Sequence, residues 1–259
     1  MIHFVGAGSG AKDLITVRGQ RLLREADIII YAGSLVNPEL LEEKKESCEV
    51  FNSAKMTLEE VLAVMESGVK KGLEIVRLHT GDPSVYGAIR EQMDALDKKG
   101  IHYDSCPGVS SFCGAAAALN LEYTLPDISQ SVIITRMAGR TPVPEKESIE
   151  LFAAHQATMV IFLSTGMLKE LSKRLIAGGY REDTPAAIVY KATWEEEEKY
   201  ICTVGNLAQT AEEHGITKTA LIIVGDVVSP EKYRRSDLYH PEFTTEFRQG
   251  REEKQGNSK

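Results

Sequence analysis

Cysteine is scarce in this chain: four residues in 259 (Cys48, Cys106, Cys113 and Cys202), with no Cys-x-x-Cys pair among them. That excludes a disulfide scaffold and a zinc-ribbon spacing, and predicts buried free thiols of a reducing cytosol. Long apolar runs are also missing. The longest, such as "VIFL" and "ALIIVG", are too short to span a bilayer. Met1 leads straight into "IHFVG" without the basic segment and apolar core of a secretory leader, so a cytoplasmic location is expected. A basic excess is absent too: 30 Lys and Arg stand against 38 Asp and Glu, a formal charge of −8. A general nucleic-acid binder would show the opposite balance, although a local basic pocket for an acidic ligand stays open. His79, His102 and His155 lack partners at ligand spacing, so no protein-bound metal is expected.

What is present is alternation. "IHFV", "ADIIIYAG", "CEVF", "EIVRLHTG" and "IHYDSCPG" read as strands separated by helical patterns. The clearest helix is "TLEEVLAVMESGVKKG". Leu58, Val61, Leu62, Met65 and Val69 share one face, Thr57 can cap the start and Gly72 can stop it. Such alternation predicts a mainly parallel sheet flanked by helices over residues 1–120. "LEYTLPDISQ" reads as a linker. Over 131–240 a second α/β domain is expected, from "SVIITRM", "TMVIFLST", "PAAIVYKA", "KYICTVG" and "TALIIVGDVV", with the helix "GMLKELSKRLIAGG" between. "EKYICT" follows "AIVYKATWEE" too closely for a helical crossover, which predicts a hairpin and a mixed sheet. Residues 241–259, ending in "RQGREEKQGNSK", are expected to be disordered.

Function should lie in the loops. Gly6, Gly8 and Ala11 fit the dinucleotide fingerprint G-x-G-x-x-(G/A) after a strand. Two details oppose a dinucleotide: Asp13, a good helix cap, stands beyond the motif, and the second strand, "IIIYAGS", ends without the carboxylate that would hold a ribose. The alternatives are a tight turn that merely needs glycine and a loop whose N–H groups meet another anion. Three further turns end predicted strands: "HTGDPSVYG", "CPGVSSF" and "LSTGM". In the first, Gly81 permits a sharp turn, and Asp82 would cap a helix begun by Pro83. In the second, Ser110 or Ser111 can cap the small-residue helix "SFCGAAAALNL". Together they would line a trough with backbone groups.

Taken together, "FVGAGSGAKDLITVRG", "ADIIIYAGSLV", "RLHTGDPSVYGAI", "CPGVSSF" and "ITRMAGRTPVPE" resemble the tetrapyrrole (corrin and porphyrin) methyltransferases. The likeness runs from Ile2 to about Tyr239, and "YAGSLV", "TRMAGRTPVPE" and "SDLYHP" are similar to the carbon-11 enzymes of cobalamin biosynthesis. One departure is that Ser9 stands where relatives carry Pro, followed by "AKD" in place of "DPD" or "DPE". The resemblance implies S-adenosylmethionine (SAM) as co-substrate, lying in the trough between two domains. Its contacts would be Gly81, Asp82, Val85, Ser110, Ser111, Leu163, Ser164 and Ala192. The glycine-rich loop then falls on the side of a carboxylate-bearing macrocycle. Substrate contacts would be Gly8, Ser9 and Gly10, the first and last through backbone N–H groups, with Lys12, Arg18, Arg136 and Arg140 as cations.

The implied chemistry is displacement at a sulfonium methyl by a ring carbon, in which positioning and alignment supply most of the rate. No strong base is demanded; if a proton must leave, Asp104 near the end of the fifth strand is the candidate. The resemblance also implies a homodimer, and a substrate of precorrin-4 or its cobalt complex. Methylation at another carbon of uroporphyrinogen-III or a precorrin-3 type, an NAD(P)-dependent oxidoreductase, and a non-catalytic tetrapyrrole binder are the alternatives.

Overall fold

The computed structural model describes residues 1–251; the end of the segment expected to be disordered, 252–259, lies outside the described residues. The chain divides into two compact units. The first comprises Met1–Asn120 with the returning pieces Val189–Lys199 and Lys218–Leu221, and the second comprises Leu121–Ile188, Tyr200–Thr217 and the chain from Ile222 onward.

In the first unit, strands β1 (Ile2–Gly6), β2 (Ile28–Tyr31), β3 (Glu49–Asn52), β4 (Ile75–His79) and β5 (Tyr103–Cys106) form one sheet in the order β3-β2-β4-β1-β5. Every pairing in it is parallel. Both faces are covered, so apolar residues occupy alternate positions on each side. Val5, Ile29, Val76, Leu78 and Cys106 pack with Leu23 of helix α1 (Val17–Glu25). Ile2, Phe4, Ile28, Ile30 and Ile75 pack on the other face, with Val61, Leu62 and Met65 of α2 (Leu58–Lys70) and Leu96 of α3 (Arg90–Asp97).

Helix α2 follows its sequence pattern. Thr57 and Glu60 form a reciprocal capping box, Gly72 takes φ +72° at the C-terminal end, and Met65 is fully buried. That one side chain contributes on the order of 2 kcal/mol of apolar burial. Helix α1 differs in its start. Thr16, not Asp13, caps it, accepting from Gly19 N at 3.1 Å, because a 3-10 turn over Lys12–Leu14 consumes Asp13.

The second unit carries helices α5 (Ile149–Ala153), α6 (Leu168–Ala177) and α7 (Leu207–Glu213). The second sheet has the order β6-β7-β10-β8-β9, from β6 (Val132–Arg136), β7 (Thr158–Phe162), β8 (Pro185–Tyr190), β9 (Glu198–Thr203) and β10 (Ala220–Val224). β6 runs parallel to β7 and β10 antiparallel to it, a mixed sheet as expected, and β8 and β9 are neighbours joined by residues 191–197. The segment 121–130 is no loose tether. Thr158 donates through Oγ1 to Tyr123 O at 2.8 Å and through its amide to Ser129 Oγ at 3.0 Å, so the segment is tied to the start of β7. Residues 238–251 are tied together: Arg248 donates to the carbonyls of Leu238, His240 and Phe243.

All four cysteines are free, but only Cys48 and Cys106 are buried. Cys113 is exposed because α4 (Ser111–Leu119) turns Gly114, Ala115 and Ala118 inward instead. Among the described residues no helix is long and apolar enough to cross a membrane.

Candidate functional site

Strand order and register build the site in the first unit. β4, β1 and β5 are adjacent and end at one level, with Gly6 opposite His79 and Val5 opposite Cys106. Their three following loops therefore leave side by side at the C-terminal edge of the sheet, where open α/β sheets bind ligands. Glycine is required for the loops to touch. A Cβ on Gly6 would lie 2.6 Å from Gly108 Cα and from Gly81 O, and one on Gly108 would lie 2.2 Å from Gly81 O. Gly8 N donates to Gly81 O at 3.2 Å, and Gly81 N returns a bond to Gly8 O at 2.9 Å.

Asp82 fastens this arrangement. One carboxylate oxygen accepts from Gly108 N at 2.8 Å; the other accepts from Ser84 N at 2.8 Å and from the Ser84 hydroxyl. Burial opposes ionisation of Asp82, yet the bonds from Ser84 and Gly108 outweigh it and hold the carboxyl below its usual range. Asp82 does not cap a helix begun by Pro83. Residues 83–86 form a turn, and α3 starts only at Arg90. Tyr86 and Ala88 take φ +56° and +49°, outside the helical region, and the turn is so tight that a Cβ on Gly87 would meet Pro83 O at 2.1 Å.

Beneath these loops lie two buried cationic-type side chains of β4. Arg77 donates to Gln92 Oε1 at 3.1 Å and to Ile30 O at 3.1 Å, while Gln92 Nε2 donates to Ala88 O at 3.0 Å. Burial lowers the Arg77 pKa to about 10, which leaves it charged at neutral pH. His79 stacks near Phe4, and burial with the charge of Arg77 lowers its pKa to about 3, so it is neutral.

The structure gathers most of the expected residues of the first unit. A Cβ on Gly81 (φ +61°) would touch Ser111 N and Ser110 Cα, and Val85 N bonds Asp82 O at 3.2 Å. Ser110 stands at the N-cap of α4, but its side chain makes no cap bond. Ala192 belongs to the same group, its carbonyl lying 2.8 Å from where a Gly10 Cβ would be. Ser9 is buried beside Gly114 and Thr193. The amide of Gly8, expected to be offered to substrate, is instead spent on Gly81 O. Lys12 is exposed and paired with Glu39 at 3.3 Å, which raises its pKa, and Arg18 is exposed on the first turn of α1.

Asp104 is not brought to these loops. It sits opposite His3, three residues before the end of β1, and its carboxylate lies 2.6 Å from His3 Nδ1, while His3 Nε2 lies 3.1 Å from Glu74. A side chain held at that level of the strand serves the opposite end of the sheet.

In the second unit, Leu163 is 66 % exposed with φ +53°, an unusual state for a large apolar residue. Ser164 is fully buried and its hydroxyl is occupied, accepting from Met137 N at 2.9 Å and donating to Phe162 O at 2.7 Å. Arg136 is committed to shaping its own loop, donating to the carbonyls of Met137, Thr141 and Pro142. Arg140 projects from that loop, exposed.

The reading from sequence missed Asn37, which donates to Gly10 O at 3.0 Å, and Thr193 and Trp194, which also grip the glycine-rich loop. The single tryptophan of the chain was the only available hint. These contacts decide the dinucleotide question. Helix α1 starts at Val17, beyond the fingerprint, and the amides of Gly8 and Ala11 already donate to Gly81 O and Thr193 Oγ1. A pyrophosphate would find them taken.

Comparison with known proteins agrees. A cobalt-precorrin-4 C(11)-methyltransferase of Methanocaldococcus jannaschii is 53 % identical over 247 residues, covering 95 % of each chain. A precorrin-4 C(11)-methyltransferase of Pseudomonas aeruginosa is 41 % identical, covering 96 % of this chain and 99 % of the other. The solved structure of the cobalamin biosynthetic enzyme cobalt precorrin-4 methyltransferase, CbiF, superposes with a TM-score of 0.87 at 44 % identity, over 88 % of this chain and 96 % of that one. A uroporphyrin-III C-methyl transferase from Thermus thermophilus, complexed with S-adenyl homocysteine, gives 0.73 at 25 % identity, over 88 % and 98 %. With residues 1–208 matching the Tetrapyrrole (Corrin/Porphyrin) Methylases, the chain belongs to that family of methyltransferases.

Proposed function

We propose that this protein methylates carbon 11 of precorrin-4 or cobalt-precorrin-4, with SAM as methyl donor, to give the corresponding precorrin-5A in cobalamin biosynthesis. The observation that carries this reading is the 53 % identity, along nearly the whole of both chains, to a cobalt-precorrin-4 C(11)-methyltransferase. A cobalt ion, where present, is part of the substrate.

The geometry of the first unit suits a donor held by backbone. Gly81 is in the left-handed region against Ser110 and Ser111, the start of α4 has no side-chain cap, and Ala192 lies close by the glycine-rich loop. We assign donor contacts to Gly81, Val85, Ser110, Ser111 and Ala192. Asp82 acts by holding the loops after β4 and β5 together, and Ser164 by holding Met137. When bound, the donor supplies a methyl group on a positively charged sulfur. The residues of this chain orient and desolvate the reactants, and a carboxylate at the sulfur would stabilise ground and transition states alike. Arg140, exposed and pointing from its loop, is assigned to substrate carboxylates, whereas Arg136 is a loop clasp.

Incubation with SAM and either cobalt-free or cobalt-loaded precorrin-4, followed by mass spectrometry and carbon NMR, tests the reading. A gain of one methyl at carbon 11 is expected. Methylation at another ring carbon, or of neither substrate, refutes it. We further propose a cytoplasmic homodimer; sedimentation at a single monomer mass refutes the assembly.

A further inference from the structure

The connection between β8 and β9 holds a concentrated stretch of backbone strain. Lys191 and Thr193 take φ +43° and +69°, and Thr193 is β-branched, for which the left-handed region is an outlier. Such strain persists only where the surroundings over-determine it, and it gathers at functional sites. Here the surroundings are explicit. Lys191 N donates to Thr219 O at 3.0 Å, Trp194 N to Lys191 O at 3.0 Å, and Thr193 N to the Glu197 carboxylate at 2.7 Å.

The strained turn aims two side chains at the glycine-rich loop. Thr193 Oγ1 accepts from Ala11 N at 3.2 Å and lies 3.0 Å from Ser9 Oγ. The indole of Trp194 lies across Gly10 so closely that a Cβ there would sit 2.3 Å from Cδ1 and 2.6 Å from Nε1. The ring is itself fixed: Lys191 Nζ stands 5.6 Å from the Trp194 ring and 5.7 Å from the Tyr190 ring, and pairs with Glu196 at 2.8 Å. Ser9, Gly10 and Ala11 are thus all held by the 193–194 pair, about 180 residues away in sequence. An unassisted loop of small residues would sample many shapes.

We propose that Thr193 and Trp194 are positioning residues for the tetrapyrrole. They hold Ser9–Ala11 in the shape that receives the macrocycle, and so set substrate affinity while leaving donor affinity alone. This rests on the reading above that the chain is a tetrapyrrole methyltransferase whose glycine-rich loop lies on the substrate side.

Two measurements test it. In steady-state methylation of precorrin-4, Thr193→Val, which removes the hydroxyl at nearly constant shape, is expected to raise the tetrapyrrole KM about tenfold. The SAM Kd should stay within about twofold, and Thr193→Ser, which keeps the hydroxyl, should restore the wild-type KM. Trp194→Phe should act in the same direction as Thr193→Val. An unchanged KM in Thr193→Val, or an equal loss for both ligands, overturns the inference. Amide hydrogen exchange gives a readout independent of turnover: Ala11 should exchange at least about tenfold faster in Thr193→Val than in wild type. If wild type methylates no tetrapyrrole, the functional reading fails. Unchanged Ala11 exchange instead overturns the role of the turn, whatever the substrate.

Discussion

Asp82→Ala is the sharpest probe of the loop edge. The two carboxylate oxygens of Asp82 serve different partners, one Gly108 N and the other Ser84 N, both at 2.8 Å. An amide has only one acceptor oxygen, so its NH2 would face an N–H donor at one of the two positions. Bonds to a charged acceptor contribute about 1.5–3 kcal/mol each when shielded. Ser84 is exposed, so its bond is discounted to well under 1 kcal/mol, whereas Gly108 N is enclosed by the loops and retains about 2 kcal/mol. The expected loss in Asp82→Ala, which removes both acceptors, is about 2–3 kcal/mol, lowering the midpoint of thermal unfolding by roughly 5–10 °C for a chain of this size. Asp82→Asn should lose less, since its one amide oxygen can stay on Gly108 N while the NH2 turns toward the exposed Ser84.

The SAM affinity of Asp82→Ala, measured by calorimetry below its unfolding range, should fall about tenfold as the loops after β4 and β5 separate. The pH dependence has a definite sign. The folded carboxyl titrates below its unfolded value of about 3.9, so its stabilisation is complete above that pH and is lost as pH falls through the folded value. The stability gap between wild type and Asp82→Ala should therefore be full at neutral pH and close under acid. An Asp82→Ala protein with wild-type midpoint and wild-type SAM affinity refutes the reasoning.

Gly108→Ala places a methyl against backbone on two sides, 2.2 Å from Gly81 O and 2.7 Å from Gly6 Cα, and should cost about 3 kcal/mol in denaturant titration. Gly100→Ala is its control: φ is +65° there but nothing lies within 4 Å, so a loss of only about 1 kcal/mol is expected, and equal losses would count against loop contact as the cause. Arg140→Ala should raise the tetrapyrrole KM at least about fivefold with SAM binding unchanged, and equal effects on both ligands would remove its substrate role. Asp104→Asn should leave the rate of methylation within about twofold of wild type; a loss of a hundredfold or more would restore it as a catalytic acid–base group.

Local patterns reported the elements well. The spacing of Val61, Leu62 and Met65 specified α2, and its Thr57 cap and Gly72 stop were both visible in sequence. The loops were legible as places where glycine gathers. Their internal shape was not: Asp82 read as a cap, and Pro83 as a helix start, because a Gly-Asp-Pro turn does both in isolation. Asp104 read as a site residue because its nearness to the end of β5 was counted along the strand, while register against β1 sets it beside His3.

By itself, then, the amino-acid order determined which segments are strands, which are helices and where the backbone must bend, since these depend on neighbours a few residues apart. Only the tertiary structure decided which donor meets which acceptor. The order β2-β4-β1-β5 puts the loops at Gly8, Gly81 and Gly108 side by side, and the return of Val189–Lys199 to the first unit brings Thr193 and Trp194 onto Ser9 and Gly10. Such pairings depend on distances through space between residues far apart in the chain, and no periodicity within any one segment encodes them.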